Sequence, residues 1–363
     1  MKNIDNRLTI LLTLKDREDF TFRWLEYVNK VHLPFKIIIA DGGKTSSIEK
    51  ALLDKSIFPN IFYEYYKYPY DLDISYLRKK LIDAISKIDS PFMMLTDNDD
   101  FIIVNGLIKS LNFMDKNPKY SCAKGKIGFV NVGTQNYEKK QFVYGDNNKY
   151  WIPKSVGVNV NSALERFELF LNAYSQPGYY SNFYYGINKT SEFVDVLKST
   201  FKSDIGDIFL EELAISGQVA INGNIESGDY LYLIRQRNTP STTSSTNRKK
   251  MGNEYDRMFR EDWSYDFRKF VDIISKSVLI KENIKNKTIE SRVIESYKKY
   301  IAPIIHNRIS KGYREQLDIE NSQLQSLIMK CFRKKIKEKF ISINRAPHQD
   351  ILHSVEDSLN KLS

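Results

Sequence analysis

"SPFMMLTDNDDF" (residues 90–101) runs from an apolar stretch, Phe92 to Leu95, straight into Asp97, Asp99 and Asp100. A short apolar run bounded by turn-forming residues reads as a buried strand. Carboxylates crowded at a strand end repel one another and disfavour their own ionised forms, so the cluster needs a compensating partner there. Side chains alternate along a strand, which turns Asp97 and Asp99 toward one point. Two carboxylates aimed at one point suit a hard divalent cation, Mg²⁺ or Mn²⁺, with a phosphate-bearing substrate completing its shell. The competing reading is a solvated acidic turn. The position directly behind a buried strand favours the cation.

Outward from this stretch the same pattern repeats. "LTILLTL" (8–14) is an apolar run stopped by "KDRED", and "FKIIIADGG" (35–43) is a β-branched run stopped by Asp41 and two glycines. "NIFYEYYKY" (60–68) reads as a further strand. Between the runs lie helical periods: 18–30, "TSSIEKALLD" with Ser46 or Ser47 as N-cap, 73–89, and 104–118 closed by Pro118. Strands alternating with helices predict an α/β layer structure, a mainly parallel central sheet flanked by helices. In such sheets ligands sit beyond the carboxyl ends of the strands. Three polar stops fall at those ends, Thr13 to Arg17, Asp41 to Lys44 and Asp97 to Asp100, and predict one shared crevice.

The middle of the chain is less regular. Residues 124–137 and 141–153 read as strands and loops, 162–175 as a helix, 179–190 as an aromatic, strand-like tract, 206–218 as a helix starting near Asp207, and 230–237 as a strand. The Ser/Thr-rich "NTPSTTSSTN" (238–247) reads as a linker or mobile loop. It sets a boundary between a domain of residues 1–247 and a mainly helical region of residues 248–363.

The chain has 363 residues, 42% of them hydrophobic and 28% charged, a globular composition. Its formal net charge of +10 is unevenly placed: 25 of the 55 Lys/Arg but 16 of the 45 Asp/Glu fall in residues 248–363. A basic, amphipathic period over 321–343 suits an anionic membrane surface or a packed helix. No apolar run approaches the ~20 residues of a membrane span. The N-terminus meets charge too early for a secretory leader. With two cysteines, Cys122 and Cys331, far apart and without metal spacing, a cytoplasmic protein without disulfides is expected, with possible peripheral contact at the inner membrane face. The four histidines show no ligand spacing.

The ordered set "LLTLKDR", "IIIADGGKTSS", Arg78 in "SYLRKKLIDA" and "LTDNDD" resembles the family 2 type of nucleotide-sugar-dependent glycosyltransferases of bacteria, which adopt the GT-A fold. The resemblance covers about the first hundred residues. It implies that Thr13 and Asp16 border a nucleoside pocket, that Asp41 hydrogen-bonds the nucleobase and that Arg78 faces the base or diphosphate. It further implies that Asp97 touches the ribose or metal, and that Asp99 is the main metal ligand. "FLEELAISGQ" supplies the later acidic pair, Glu211 and Glu212, where Glu212 would be the catalytic base and Glu211 a substitute or a group that orients the acceptor. "SNFYYGINKT" resembles the segment ahead of that pair, so Tyr184, Tyr185 and Gly186, with Asp100, would line the sugar or acceptor pocket. Arg235 and Arg237 would clasp the diphosphate, as bidentate donors can, and Asn238 would fill a third ligand position. The implied donor is a nucleoside-diphosphate sugar, UDP by default, and the implied acceptor a glycan or lipid-linked hydroxyl in bacterial surface polysaccharide synthesis. No nucleic-acid partner is expected, and the sequence leaves the oligomeric state open.

Two other classes compete. A nucleotidyl- or phosphotransferase would want a glycine-rich phosphate loop after the first strand, and "TLKDRED" has none. A polyanion-binding protein using the basic C-terminal region would leave the ordered carboxylates unexplained.

Overall fold

The computed structural model describes residues 4–131, 150–151, 157–175, 183–237, 252, 254–284 and 288–320. Four strands come from the four apolar runs: β1 (Leu8–Leu14), β2 (Lys36–Asp41), β3 (Phe62–Lys67) and β4 (Phe92–Asp97). They pair in parallel in the order β3-β2-β1-β4, with the helices α1 (Glu18–Lys30), α2 (Ser47–Leu53) and α3 (Ile74–Ile85) as connections. Asp73 caps α3 by accepting from the backbone N–H groups of Ser75 and Tyr76. Ser46 stands at the N-cap of α2 without a side-chain bond.

The runs of β1, β2 and β4 are nearly continuously apolar because both faces are covered, whereas the edge strand β3 is only partly buried. Leu8, Ile10, Leu12 and Leu14 face a layer that holds Trp24, Leu25 and Val28 of α1, while Leu11 faces the layer of Leu81, Ala84 and Ile85 of α3. The same period-two split sends Ile37 and Ile39 one way and Ile38 and Ala40 the other.

Past β4 the sheet becomes mixed. It continues through β8 (Ile187–Lys189), β6 (Tyr120–Asn131) and β9 (Asn224–Arg237) to β5 (Asp100–Ile102), with β7 (Tyr150–Trp151) on β6. The long ladders are parallel. The antiparallel ones, β4 with β8, β6 with β8, β6 with β7 and β5 with β9, span two or three residues each. The α/β class with a mainly parallel sheet therefore holds. Only Asn98 and Asp99 separate β4 from β5, yet β5 pairs with β9 at the far end of the strand order. Two residues span about 7 Å, so the sheet curls back until its last strands stand beside the end of β4. That curl brings distant sequence to "TDNDD".

The helices α4 (Val104–Lys116), α5 (Ala163–Ser175), α6 (Thr190–Ser203) and α7 (Ile208–Asn222) flank the sheet. After the linker come α8 (Glu254–Arg257), α9 (Trp263–Glu282) and α10 (Ile289–Glu320), so the described part of the C-terminal region is helical as expected. Phe270, Ile274, Val278, Val293 and Tyr297 of α9 and α10 share one core with Phe167 of α5 and Leu213 of α7. Among the described residues no helix is long and apolar enough to cross a membrane. The basic stretch 321–343, Cys331 and most of 141–153 lie outside the described residues.

Candidate functional site

The parallel register aligns the three polar stops. Thr13 pairs with Ala40 on one side and Asp97 on the other, and Leu14 pairs with Asp41. The backbone N–H of Lys44 donates to Asp16 Oδ1 at 3.0 Å, and that of Gly42 to the Leu14 carbonyl at 3.0 Å. Arg17 Nη1 reaches Asp99 Oδ2 at 3.1 Å. The three polar stops expected from spacing are therefore brought together at one sheet edge.

At its centre Asp97, Asp99 and Asp100 each bring a carboxylate oxygen within 4.8 Å of the others. Strand alternation anticipated two of the three. The third joins because the chain turns at Asn98–Asp99, and Asn98 points inward to donate to the Thr21 hydroxyl at 3.0 Å. Asp100, expected to line the sugar or acceptor pocket, is also a member of the acid cluster. Register across the β5–β9 ladder sets Arg235 opposite Asp100. Its guanidinium bridges the cluster, Nε to Asp100 Oδ1 at 3.0 Å and Nη2 to Asp97 Oδ2 at 3.1 Å. Tyr185 donates its hydroxyl to Asp97 Oδ2 at 2.7 Å, and the Arg235 guanidinium lies 4.0 Å from the Tyr185 ring centroid.

Burial pushes the Asp100 carboxyl well above the usual carboxylate range, against the pull of Arg235. Its Oδ2 is buried without a hydrogen-bond partner among the described residues. Three converging carboxylates, one oxygen of them orphaned, and all-oxygen donor chemistry fit a hard divalent cation. Asp97, Asp99 and Asp100 are the residues that would hold it.

Beside the cluster stands α7. Asp207 caps it, accepting from the N–H groups of Phe209 at 2.9 Å and Leu210 at 3.2 Å. The cap sets Glu211 and Glu212 just inside the helix. Glu212 keeps partial exposure, and burial by the surrounding protein lifts its carboxyl to about 7. The positive charge of Arg235 opposes that rise, and the negative charges of Asp97 and Glu211 add to it. Glu212 thus belongs to the same electrostatic neighbourhood as the acid cluster. Glu211 is buried, also lifted to about 7 by burial, and paired with Arg78 Nη2 at 2.5 Å.

Arg78, expected to face the base or diphosphate, is engaged by protein groups. Besides Glu211, it donates to Asp204 Oδ1 at 2.7 Å and to the Ile205 carbonyl at 2.5 Å. Its two Nη atoms hold the turn before α7 and Glu211, while Nε is buried without a hydrogen-bond partner among the described residues. Gly186, expected to line the sugar or acceptor pocket, is buried, and a Cβ there would lie 2.3 Å from Cys122 Sγ, so packing behind the pocket requires the glycine. Tyr184 sits edge-on to Tyr185 with centroids 5.1 Å apart, half-buried at the crevice. Arg237 closes the β9 backbone; its side chain, Asn238 and the 238–247 segment lie outside the described residues.

The side of the crevice at β1 and β2 is polar and internally paired. Asp41 accepts from Gly43 N–H at 2.7 Å, the Tyr65 hydroxyl at 2.7 Å and Lys67 Nζ at 3.0 Å. Tyr70 donates to Asp16 Oδ2 at 3.2 Å, and Lys15 and Lys44 approach its ring. Beneath lies a buried ion pair, Lys80 with Asp71, whose lysine also donates to the Leu14 carbonyl at 2.8 Å. Sequence reading placed Arg17 in a polar stop without giving it a role, and missed Lys67, Asp71 and Lys80. A lysine inside the apolar period of α3 was the available signal for the last. A separate pocket of about 430 Å³, lined by Glu26, Asn29, Lys30, Ile57 and Phe58, opens at the amino ends of β2 and β3, away from this chemistry.

No family model matches the chain. No curated protein matches it. Among solved structures it is similar to S. aureus TarS residues 1–349, with a TM-score of 0.40 at 11% identity, covering 85% of this chain and 92% of that one. The same fragment in complex with UDP-GlcNAc gives a TM-score of 0.45 at 12% identity, covering 82% and 73%. In complex with UDP it gives 0.39 at 12% identity, covering 84% and 92%.

Proposed function

We propose that the chain is a nucleotide-sugar-dependent glycosyltransferase, inverting and assisted by a divalent cation. The observation that carries the reading is a three-carboxylate cluster, bridged by Arg235, whose charges act on a partly exposed acid lifted to about 7 at Glu212. A nucleoside diphosphate departs well only when its developing charge is neutralised. Arg17 and Arg235, already at the cluster, stand where such a leaving group would meet positive charge. A cation on Asp97, Asp99 and Asp100 would supply Lewis-acid neutralisation of the diphosphate.

Glu212 takes the proton from the acceptor hydroxyl as that oxygen attacks the anomeric carbon. A carboxylate with an affinity for protons near neutrality is well matched to that task. One base and one displacement give inversion at the anomeric carbon. Asp41 and Asp16, at the ends of β2 and β1, border the nucleoside, and Tyr184 and Tyr185 flank the sugar. UDP is the default nucleotide, from the resemblance of the motifs. A glycan or lipid-linked hydroxyl in surface polysaccharide synthesis is the acceptor on the same ground.

The test is a thermal-shift panel of nucleoside diphosphates with and without Mn²⁺, since a ligand of the native state stabilises it by mass action. One nucleotide is expected to shift the melt, more strongly with Mn²⁺. If no nucleoside diphosphate moves the transition under either condition, the reading is wrong.

A further inference from the structure

The turn that feeds the base-bearing helix is held by residues that follow the linker. Asp207 spends one carboxylate oxygen on the N-cap of α7 and the other on Arg257, whose Nη1 lies 2.9 Å from Oδ2. Both side chains are essentially dry, 3% and 1% exposed. One residue earlier, Gly206 N–H donates to Asp266 Oδ1 of α9 at 2.9 Å, and Lys269 donates to the Asp204 carbonyl. Arg78 holds the same turn from α3. So residues 204–207, the lead into Glu211 and Glu212, are fastened from both sides.

Arg257 is built into place. Its guanidinium lies 4.1 Å from the Phe209 ring centroid, and Nε donates to the Gly252 carbonyl at 3.2 Å. Gly252 has φ +78, and a Cβ there would fall 2.4 Å from the Asp256 Cβ. A side chain at 252 would be strained and obstructed, so the turn into α8 requires glycine. Arg257 is also one of the charges that act on the Glu212 carboxylate, with Arg235, Asp97 and Glu211. A buried arginine so placed does more than seal an interface.

Resting on the glycosyltransferase reading, we propose that Arg257 is a positioning residue of the transfer reaction. Through Asp207 it fixes the first turn of α7, and with it the place of Glu212, so the helices beyond the linker complete the active site. Misplacing a reacting group by about 1 Å costs on the order of a hundredfold in rate, while donor binding on the far side of the crevice is untouched.

The experiment compares wild type, R257M and the neutral pair D207N/R257Q. The pair keeps an N-cap and a hydrogen bond, and so folds where R257M leaves a buried carboxylate bare. Each is assayed for donor KM, kcat of transfer, the thermal shift with nucleoside diphosphate and Mn²⁺, and amide hydrogen exchange along residues 209–212. Expected are a kcat lower by about tenfold to a hundredfold, KM and nucleotide shift at wild-type values, and faster exchange confined to 209–212. Unchanged kcat and exchange in a folded variant, or kcat and KM changing together, would overturn the assignment while the parent reading stands. A wild-type protein that neither transfers nor hydrolyses any nucleoside-diphosphate sugar would overturn both.

Discussion

Replacing Arg235 by methionine removes the one side chain seen to bridge Asp97 and Asp100. The Asp100 carboxylate is 1% exposed and its guanidinium partner 19%, so that leg is nearly dry. Deleting one partner of a buried pair costs ~3–5 kcal/mol, because the other charge is left uncompensated. The Asp97 carboxylate is 36% exposed, and solvent screening limits that leg to ~1 kcal/mol or less. Taking ~3 kcal/mol for the whole and about 2 °C per kcal/mol for a large chain gives a fall in Tm of about 6 °C in EDTA. The same substitution removes a positive charge that competes with a cation for the acid cluster. Mn²⁺ at a hundred times its Kd restores ~2.7 kcal/mol, so most of the deficit should vanish on titration, and the Mn²⁺ shift of R235M should exceed that of wild type. Differential scanning fluorimetry of both proteins in EDTA and in an Mn²⁺ series reads each term. If R235M melts with wild type in EDTA, or keeps its full deficit in saturating Mn²⁺, the cluster neither needs the guanidinium nor takes a cation.

E212Q should lower kcat of sugar transfer by roughly 10²–10⁴-fold with nucleotide binding preserved; E211Q should cost less, acting through the freed Arg78, and equal losses in the two would remove the distinction between base and orienting acid. Burial raises the Glu212 carboxyl to about 7, and the base must be ionised, so kcat/KM should climb with pH through about 7 and then level off; a flat profile from about pH 5.5 to 8.5 contradicts the assignment. G186A puts a Cβ 2.3 Å from Cys122 Sγ and should cost ~1–3 kcal/mol by overpacking, with C122A relieving most of it; urea midpoints of the single and double variants measure this.

The parallel half of the sheet was readable because β1, β2 and β4 are buried on both faces and so are written as nearly unbroken apolar runs, while the edge strand β3 shows itself by its aromatic residues. β5 and β8 have three residues each, too few for any period to register, and the aromatic tract read as a strand over 179–190 gives strand only at 187–189 among the described residues. The helix α6 was passed over, although Phe193, Val196, Leu197 and Thr200 are its buried positions and sit at helical spacing. The aromatic residues just ahead of it dominated the reading. That Asp100 joins Asp97 and Asp99 was hidden for a related reason. Alternation along a strand holds only while the strand continues, and here it turns at Asn98.

The acids and the cations of the site obey different rules of legibility. Asp97, Asp99 and Asp100 occupy one turn, and Asp207, Glu211 and Glu212 one helix start, so local spacing is enough to place each set together. Their partners come from everywhere: Arg17 at the entry to α1, Arg78 from α3, Arg235 from β9 and Arg257 from α8. No sequence window holds two of the four beside the acids they balance. A strand register places Arg235, the curl of the sheet places it beside Asp97, and a glycine turn after the linker places Arg257. Removing any one cation therefore leaves the acid motifs intact in sequence but uncompensated in space, where like charges raise each other's affinity for protons. A chain with the same acid spacing but without these four arginines should fold its strands and yet carry cluster carboxyls of raised proton affinity, whose protons a divalent cation must displace before it binds.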